Sequence, residues 1–227
     1  MIEVYLLNLT RRLDEPVEKF LHYFTAQRQE KILRQRFTAD RNRTIWAELL
    51  ARAVIAKKIS RPLEEIQIDR DANGKPFVVD NSLMISLAHS ANWAACSVGE
   101  VVSGVDVEED FTDALAVAEN FFTAQEYRQL RELDGRALAE KFLSLWTIKE
   151  SFAKFTGRGI DEDFKEIDGA KILSGCGKIV GKNFFVEGAV VGVCAERGNL
   201  PESFTLVQKN FFASKLSSRS FFHLRSD

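Results

Sequence analysis

The sequence predicts an α+β protein built from two similar α/β subdomains in a pseudo-twofold arrangement. Two observations carry that reading. Ile45, Trp46, Leu49, Leu50, Ala53 and Val54 recur at the spacing of one buried helix face, and a group of short apolar runs follows them. The same order returns later, where a long helical segment over 136–155 precedes further strand-like runs. The two halves do not repeat residue by residue. At 227 residues, 45% hydrophobic and 28% charged, the chain is long enough for one large domain or two packed halves with a real core.

The first apolar run, 2–7, fits a strand. Residues 15–36 read as helical but broken: Phe20, Leu21 and Phe24 offer an apolar face, and 28–36 is unusually basic. The long helix begins after Asp40. Asn73-Gly74-Lys75-Pro76 is a turn signal, because glycine and proline each favour tight backbone geometry. Around it lie strand candidates at 66–69, 77–79, 83–88, 93–98 and 101–107. The second half opens with a helix over 113–122, and Thr123 followed by Glu126 forms a capping box for another. The helix over 136–155 can end at Gly157 and Gly159. Strands are expected at 170–173, 178–186, 188–196 and 203–207. The expected division is 1–103, 104–208 and a tail, 209–227, whose Phe-Phe pairs leave open whether it is mobile or docks by its aromatic rings.

Composition excludes some functions. A net charge of -2 leaves no electrostatic footprint for nucleic acid. Cys96, Cys176 and Cys194 are odd in number, widely spaced and flanked by small or apolar residues, so reduced packing cysteines are expected. Residues 1–9 are too short and polar for a secretory core, and no apolar run approaches a membrane span. A cytoplasmic protein with no membrane partner is the expectation.

Two stretches carry chemistry. In Gly104-Val105-Asp106-Val107-Glu108, the carboxylates of Asp106 and Glu108 alternate on a β-branched run, so on a strand they project from one face. In Trp146-Thr147-Ile148-Lys149-Glu150-Ser151, with Lys154 a turn later, Trp146, Glu150 and Lys154 follow at steps of four on a helix, with Lys149 beside them. Leu145, Ile148, Phe152 and Phe155 fall on the opposite side, which would hold the helix while Glu150 stays accessible. Alternate carboxylates are usually a solvated sheet face, and a charged stripe usually faces water. Three hard oxygen ligands beside lysines instead suit a Mg²⁺ ion clamped to a phosphorylated substrate.

Both stretches resemble the two signature motifs of the phosphopantetheinyl transferases, and the Lys-Glu-Ser form is similar to the surfactin-synthetase-activating type. The resemblance extends over the chain to about residue 207. It implies transfer of the phosphopantetheine arm of coenzyme A to a serine hydroxyl of an acyl or peptidyl carrier protein, leaving adenosine 3',5'-bisphosphate. It also implies Mg²⁺ bound by Asp106, Glu108 and Glu150. Lys154 would stabilise the departing bisphosphate, Lys149 would lie near the same phosphates, and Glu150 is the first choice of base. Arg28, Lys31, Arg43 and Thr44 match the family's positions for the phosphate on the ribose. Gly74, Lys75 and Pro76 match its adenine-contacting turn, and His89 its phosphate-binding histidine. One departure is Ala88, where the family often has serine; Ser86 nearby is a candidate substitute. Trp146 reads as a wall of the helix stripe. A carrier-docking surface is expected near 111–127, through Phe121, Phe122 and Tyr127, and the chain is expected to act as a monomer, since its two halves can supply a cleft. A coenzyme A-sensing module without catalysis and a Mg²⁺-dependent diphosphate hydrolase are the competing readings.

Overall fold

A computed structural model describes residues 1–212; residues 213–227, most of the expected tail, lie outside the described residues. β1 (Glu3–Asn8) sends Tyr5 and Leu7 into one core and Val4 and Leu6 into another, as the two-residue period of a strand requires. The broken helical stretch consists of two 3-10 turns, Val17–Lys19 and Leu21–Tyr23, and α1 (Ala26–Leu33), capped by the Thr25 side chain. α2 (Thr38–Ile59) is the first long helix. β2 (Ile68–Arg70) and β3 (Pro76–Val78) form a hairpin, and Gly74 in its turn has φ +82°, a conformation that favours glycine. β4 (Met84–Ser90), β5 (Trp93–Gly99) and β6 (Ser103–Glu108) follow.

The second half begins with α3 (Ala114–Phe121) and α4 (Ala124–Arg131), the latter opened by the Thr123–Glu126 capping box. α5 (Gly135–Thr156) ends at Gly157, which takes the left-handed conformation with φ +76°. The run 170–173, expected as a strand, belongs instead to α6 (Gly169–Leu173). The Asp168 side chain accepts a hydrogen bond from the Lys171 N–H and starts a helical turn there. β7 (Ile179–Val186), β8 (Ala189–Glu196) and β9 (Phe204–Val207) complete the described elements.

Four layers result. The sheet β4-β5-β1-β9 and the sheet β6-β8-β7 face each other across Val4, Leu6, Ala95, Val105, Val191 and Val193. α2 covers the outer face of the first sheet and α5 that of the second, so each half is a long helix laid on a sheet. Each fully buried Leu or Ile in these layers contributes roughly 1.5–3 kcal/mol, which makes layer packing rather than helix propensity the dominant support. β9 departs from the expected grouping with 104–208. It pairs in parallel with β1, Val4 opposite Phe204, and so completes the first sheet. Phe212, from the expected tail, is buried with its ring 5.4 Å from that of Trp46. Cys96 and Cys194 are buried and free, whereas Cys176 is free but exposed, contrary to the expectation of a packing residue. Among the described residues no helix is long and apolar enough to cross a membrane.

Candidate active site

The face of β6 turned away from the inter-sheet core carries Gly104, Asp106 and Glu108, and α5 lies on it. A Cβ at Gly104 would fall 1.8 Å from the Ser151 carbonyl oxygen. At Gly192 of β8, paired opposite Asp106, it would fall 2.5 Å from the Thr147 carbonyl oxygen. No larger residue fits at either point without moving the helix, so these glycines let the α5 backbone rest against the sheet. That close approach brings Lys154 and Glu150 onto the strand carboxylates.

Lys154 Nζ donates to Asp106 Oδ1 at 2.6 Å, and Ser90 Oγ donates to Glu108 Oε2. Asp106 is only 5% exposed, and its Oδ2 is buried with no hydrogen-bond partner among the described residues. Burial, reinforced by the Asp106 charge, pushes the carboxyls of Glu108 and Glu150 up to about 7. Burial also raises Asp106, against the opposing pull of Lys154. For Lys154, burial works to lower the pKa, but Asp106, Glu150 and Glu108 together outweigh it and leave it raised. Three carboxyls thus share one ammonium in a site with little water, so the solvated-face reading of the strand fails.

His89, at the end of β4, links this cluster to the first half. Its Nε2 is 3.4 Å from Thr44 Oγ1 on α2. Burial, with repulsion from Lys154 and Arg43, lowers its pKa to about 4, so the ring is neutral at pH 7. Arg43 donates to the Ala91 carbonyl at 2.7 Å and pairs with Asp40 at 2.6 Å. Arg28, on α1, reaches across to α2, its Nε donating to Glu48 Oε2 at 3.0 Å, and Lys31 is exposed on the last turn of α1. Arg70 also approaches Glu48, at 3.5 Å, and donates to the Gly74 carbonyl at 2.9 Å, which ties the turn at 74–76 to the same cluster.

Several expected residues stand elsewhere. Lys149 is fully buried: its ammonium pairs with Glu126 at 3.6 Å and donates to the Lys165 and Ile167 carbonyls, so it does not share the Glu150–Lys154 face. Lys75 Nζ donates to the Phe155 carbonyl at the end of α5, at 3.1 Å. Ser86 accepts from the Val105 N–H and is buried, so it offers no hydroxyl in place of the one missing at Ala88. Phe122 is fully buried against Phe142 and Trp146 and is no docking residue; Phe121 and Tyr127 are partly exposed. Trp146 belongs to the same aromatic core. Sequence reasoning missed Ser90, Asn92, Glu109 and Glu48 as members of the site and its support. The acidic run after Asp106 was the available signal for Glu109.

The donor set fits a hard divalent cation: all-carboxylate oxygens, one of them orphaned, with an excess of negative charge. As arranged, Lys154 holds Asp106 and Ser90 holds Glu108. Among the described residues no three His, Cys, Asp or Glu side chains are gathered into a ready ligand cluster. Each of those two bonds engages one oxygen of its carboxylate, Asp106 Oδ1 and Glu108 Oε2, and leaves the other for a cation.

Comparison with known proteins agrees with this layout. The family model described as "4'-phosphopantetheinyl transferase superfamily" matches residues 103–186, and that described as "4'-phosphopantetheinyl transferase, N-terminal" matches residues 14–101. The chain is 34% identical over 145 residues to the 4'-phosphopantetheinyl transferase psf-1 of Bacillus pumilus, a match spanning 63% of this chain and 62% of that protein. It is 30% identical over 161 residues to the 4'-phosphopantetheinyl transferase gsp of Aneurinibacillus migulanus, covering 70% and 68% of the two chains. With the 4'-phosphopantetheinyl transferase Sfp of Bacillus subtilis (strain 168) the identity is 29%, covering 70% and 72%. The family models meet near residue 102, where the first half's sheet hands over to β6, and on these matches the chain belongs to the 4'-phosphopantetheinyl transferase superfamily.

Proposed function

We propose that this protein transfers the 4'-phosphopantetheine arm of coenzyme A to a serine hydroxyl of an acyl or peptidyl carrier protein, with Mg²⁺, releasing adenosine 3',5'-bisphosphate. The observation that carries the reading is the convergence of Asp106, Glu108 and Glu150 on one lysine, beside a neutral histidine and Arg43. The carboxylates would hold the cation, which when bound would draw negative charge from the diphosphate under attack. Lys154 neutralises the departing bisphosphate; a flexible ammonium suits charge that shifts during the reaction. Glu150, with its carboxyl near 7, takes the proton of the attacking serine. His89 receives phosphate oxygens, Arg28, Lys31, Arg43 and Thr44 the phosphate on the ribose, and the backbone at Gly74 and Pro76 the adenine. The partly exposed Phe121 and Tyr127 offer the carrier a surface next to α4. A single chain supplies both sides of the site, so a monomer suffices for the reaction, and the cytoplasm is its proposed location.

One experiment separates the readings: incubate the protein with coenzyme A, Mg²⁺ and an apo carrier protein, then weigh the carrier. Gain of the phosphopantetheine mass is expected. Loss of coenzyme A with an unmodified carrier would indicate a diphosphate hydrolase, and no turnover a sensing module. Glu150→Gln and Asp106→Ala are expected to abolish transfer.

A further inference from the structure

We infer that Glu109, outside both signature motifs and the carboxylate cluster, is a positioning residue that would keep the β4–β5 turn, and with it His89, registered on the second half if a cation drew on Glu108. The inference rests on the proposed Mg²⁺-dependent reading. The turn is Ser90-Ala91-Asn92, with Ala91 at φ +43°, a conformation that L side chains rarely adopt and that its surroundings must therefore hold. Within the first half, Arg43 Nε donates to the Ala91 carbonyl and Leu9 N–H to the Asn92 carbonyl, both at 2.7 Å.

Among the described residues, two side-chain ties run from this turn to the second half. In one, Ser90 Oγ donates to Glu108 Oε2. In the other, Asn92 donates its backbone N–H to Glu109 Oε2 at 3.1 Å and its Nδ2 to the two carboxylate oxygens at 3.0 and 3.3 Å. The first tie uses an oxygen of a proposed cation ligand and would weaken once a cation drew on the Glu108 carboxylate. The second uses a carboxylate with no part in the cluster and remains, with its charge strengthening each bond. His89 directly precedes the turn; the β4–β5 pairing opposite Ala94 sets it beside Thr44, and the two ties bear on where it stands against Lys154 of the second half.

The test is calorimetric titration of coenzyme A, with no carrier present, into wild type, Glu109→Ala and Glu109→Gln, in EDTA and in Mg²⁺. In EDTA, E109A is expected to bind within about twofold of wild type, because Ser90–Glu108 still holds the turn. In Mg²⁺, E109A is expected to bind about tenfold more weakly, the scale of one charge-assisted tie lost. E109Q falls between, since its amide oxygen still accepts from the Asn92 N–H. As a second readout, the His89 ring resonances should move in E109A only when Mg²⁺ is present. An equal loss in both conditions, or no loss in either, overturns the inference. Wild type that binds coenzyme A no better with Mg²⁺ refutes the metal reading itself, and E109A then shows no conditional loss, which overturns this inference as well.

Discussion

Glu150→Gln should destroy transfer and yet make the metal-free protein more stable. Glu150 rests near 7 in the folded chain against an ordinary 4.5, because burial and the Asp106 charge oppose its ionisation. In the unfolded chain the same group ionises near 4.5. Between those values the native state holds the proton, so the group's stabilising contribution is complete below about pH 4.5 and is lost as pH rises through about 7. Each pH unit of displacement is worth about 1.4 kcal/mol, which sets an upper figure of about 3.4 kcal/mol for ionising Glu150 in place. The carboxyl keeps some contact with water and shares its burden with Glu108, so roughly 2–3 kcal/mol is the working value. Gln has the same shape without the charge. Urea denaturation in EDTA should therefore show E150Q more stable than wild type by roughly 2–3 kcal/mol near pH 8, with the gain fading toward about pH 4.5. His89 is present in both proteins and its own titration cancels in the difference. Added Mg²⁺ should stabilise wild type and erase the gain. An E150Q protein equal to or weaker than wild type at pH 8 in EDTA would refute the account of the cluster as an uncompensated excess of negative charge.

The remaining predictions concern supporting residues. Lys149→Met should cost about 3 kcal/mol in denaturant, by stranding Glu126 in the interior, while leaving the KM for coenzyme A nearly unchanged; a raised KM at undiminished stability would return Lys149 to the phosphates. Lys75→Met removes the donor at the Phe155 carbonyl and should loosen the last turn of α5, lowering kcat about tenfold with KM within about twofold; steady-state kinetics showing the reverse split would make Lys75 a nucleotide contact. Gly104→Ala must push α5 off the sheet and should cost about 3 kcal/mol, read from the urea midpoint; a loss below about 0.5 kcal/mol would contradict the close approach.

The strand carrying Asp106 and the helix carrying Glu150 were legible because each is set by a local period: two residues for β6, with Val105 and Val107 inward, and near four for the Trp146–Glu150–Lys154 stripe. Phe155 and Gly157 marked the helix end for the same local reason. The run 170–173 misled because a short stretch with three apolar residues, Ala170, Ile172 and Leu173, fits a strand as well as a helical turn, and the deciding signal was Asp168 two residues before it. The pairing of β9 with β1 depends on contacts across nearly the whole chain and leaves no local trace.

Lys149 and Lys154 show most clearly where local reading stops. Both are lysines in one helical motif, and the hundred-degree step per residue says only that Lys149 turns away from Glu150, not what it meets. What it meets is Glu126, whose other carboxylate contacts close the α4 capping box and receive the Gly169 N–H, so a buried acid already exists and draws the nearer cation inward. Lys154 lies over Asp106 because Gly104 and Gly192 let the helix sink onto the sheet. Glycine inside a strand is the one sequence signal for that approach, and here it sits two residues before Asp106, in the first signature stretch itself. The chemistry of the site therefore depends on side chains that are absent as much as on those present: with a methyl group at either glycine, the same three carboxyls and the same lysine would remain in the sequence but lose their common cluster.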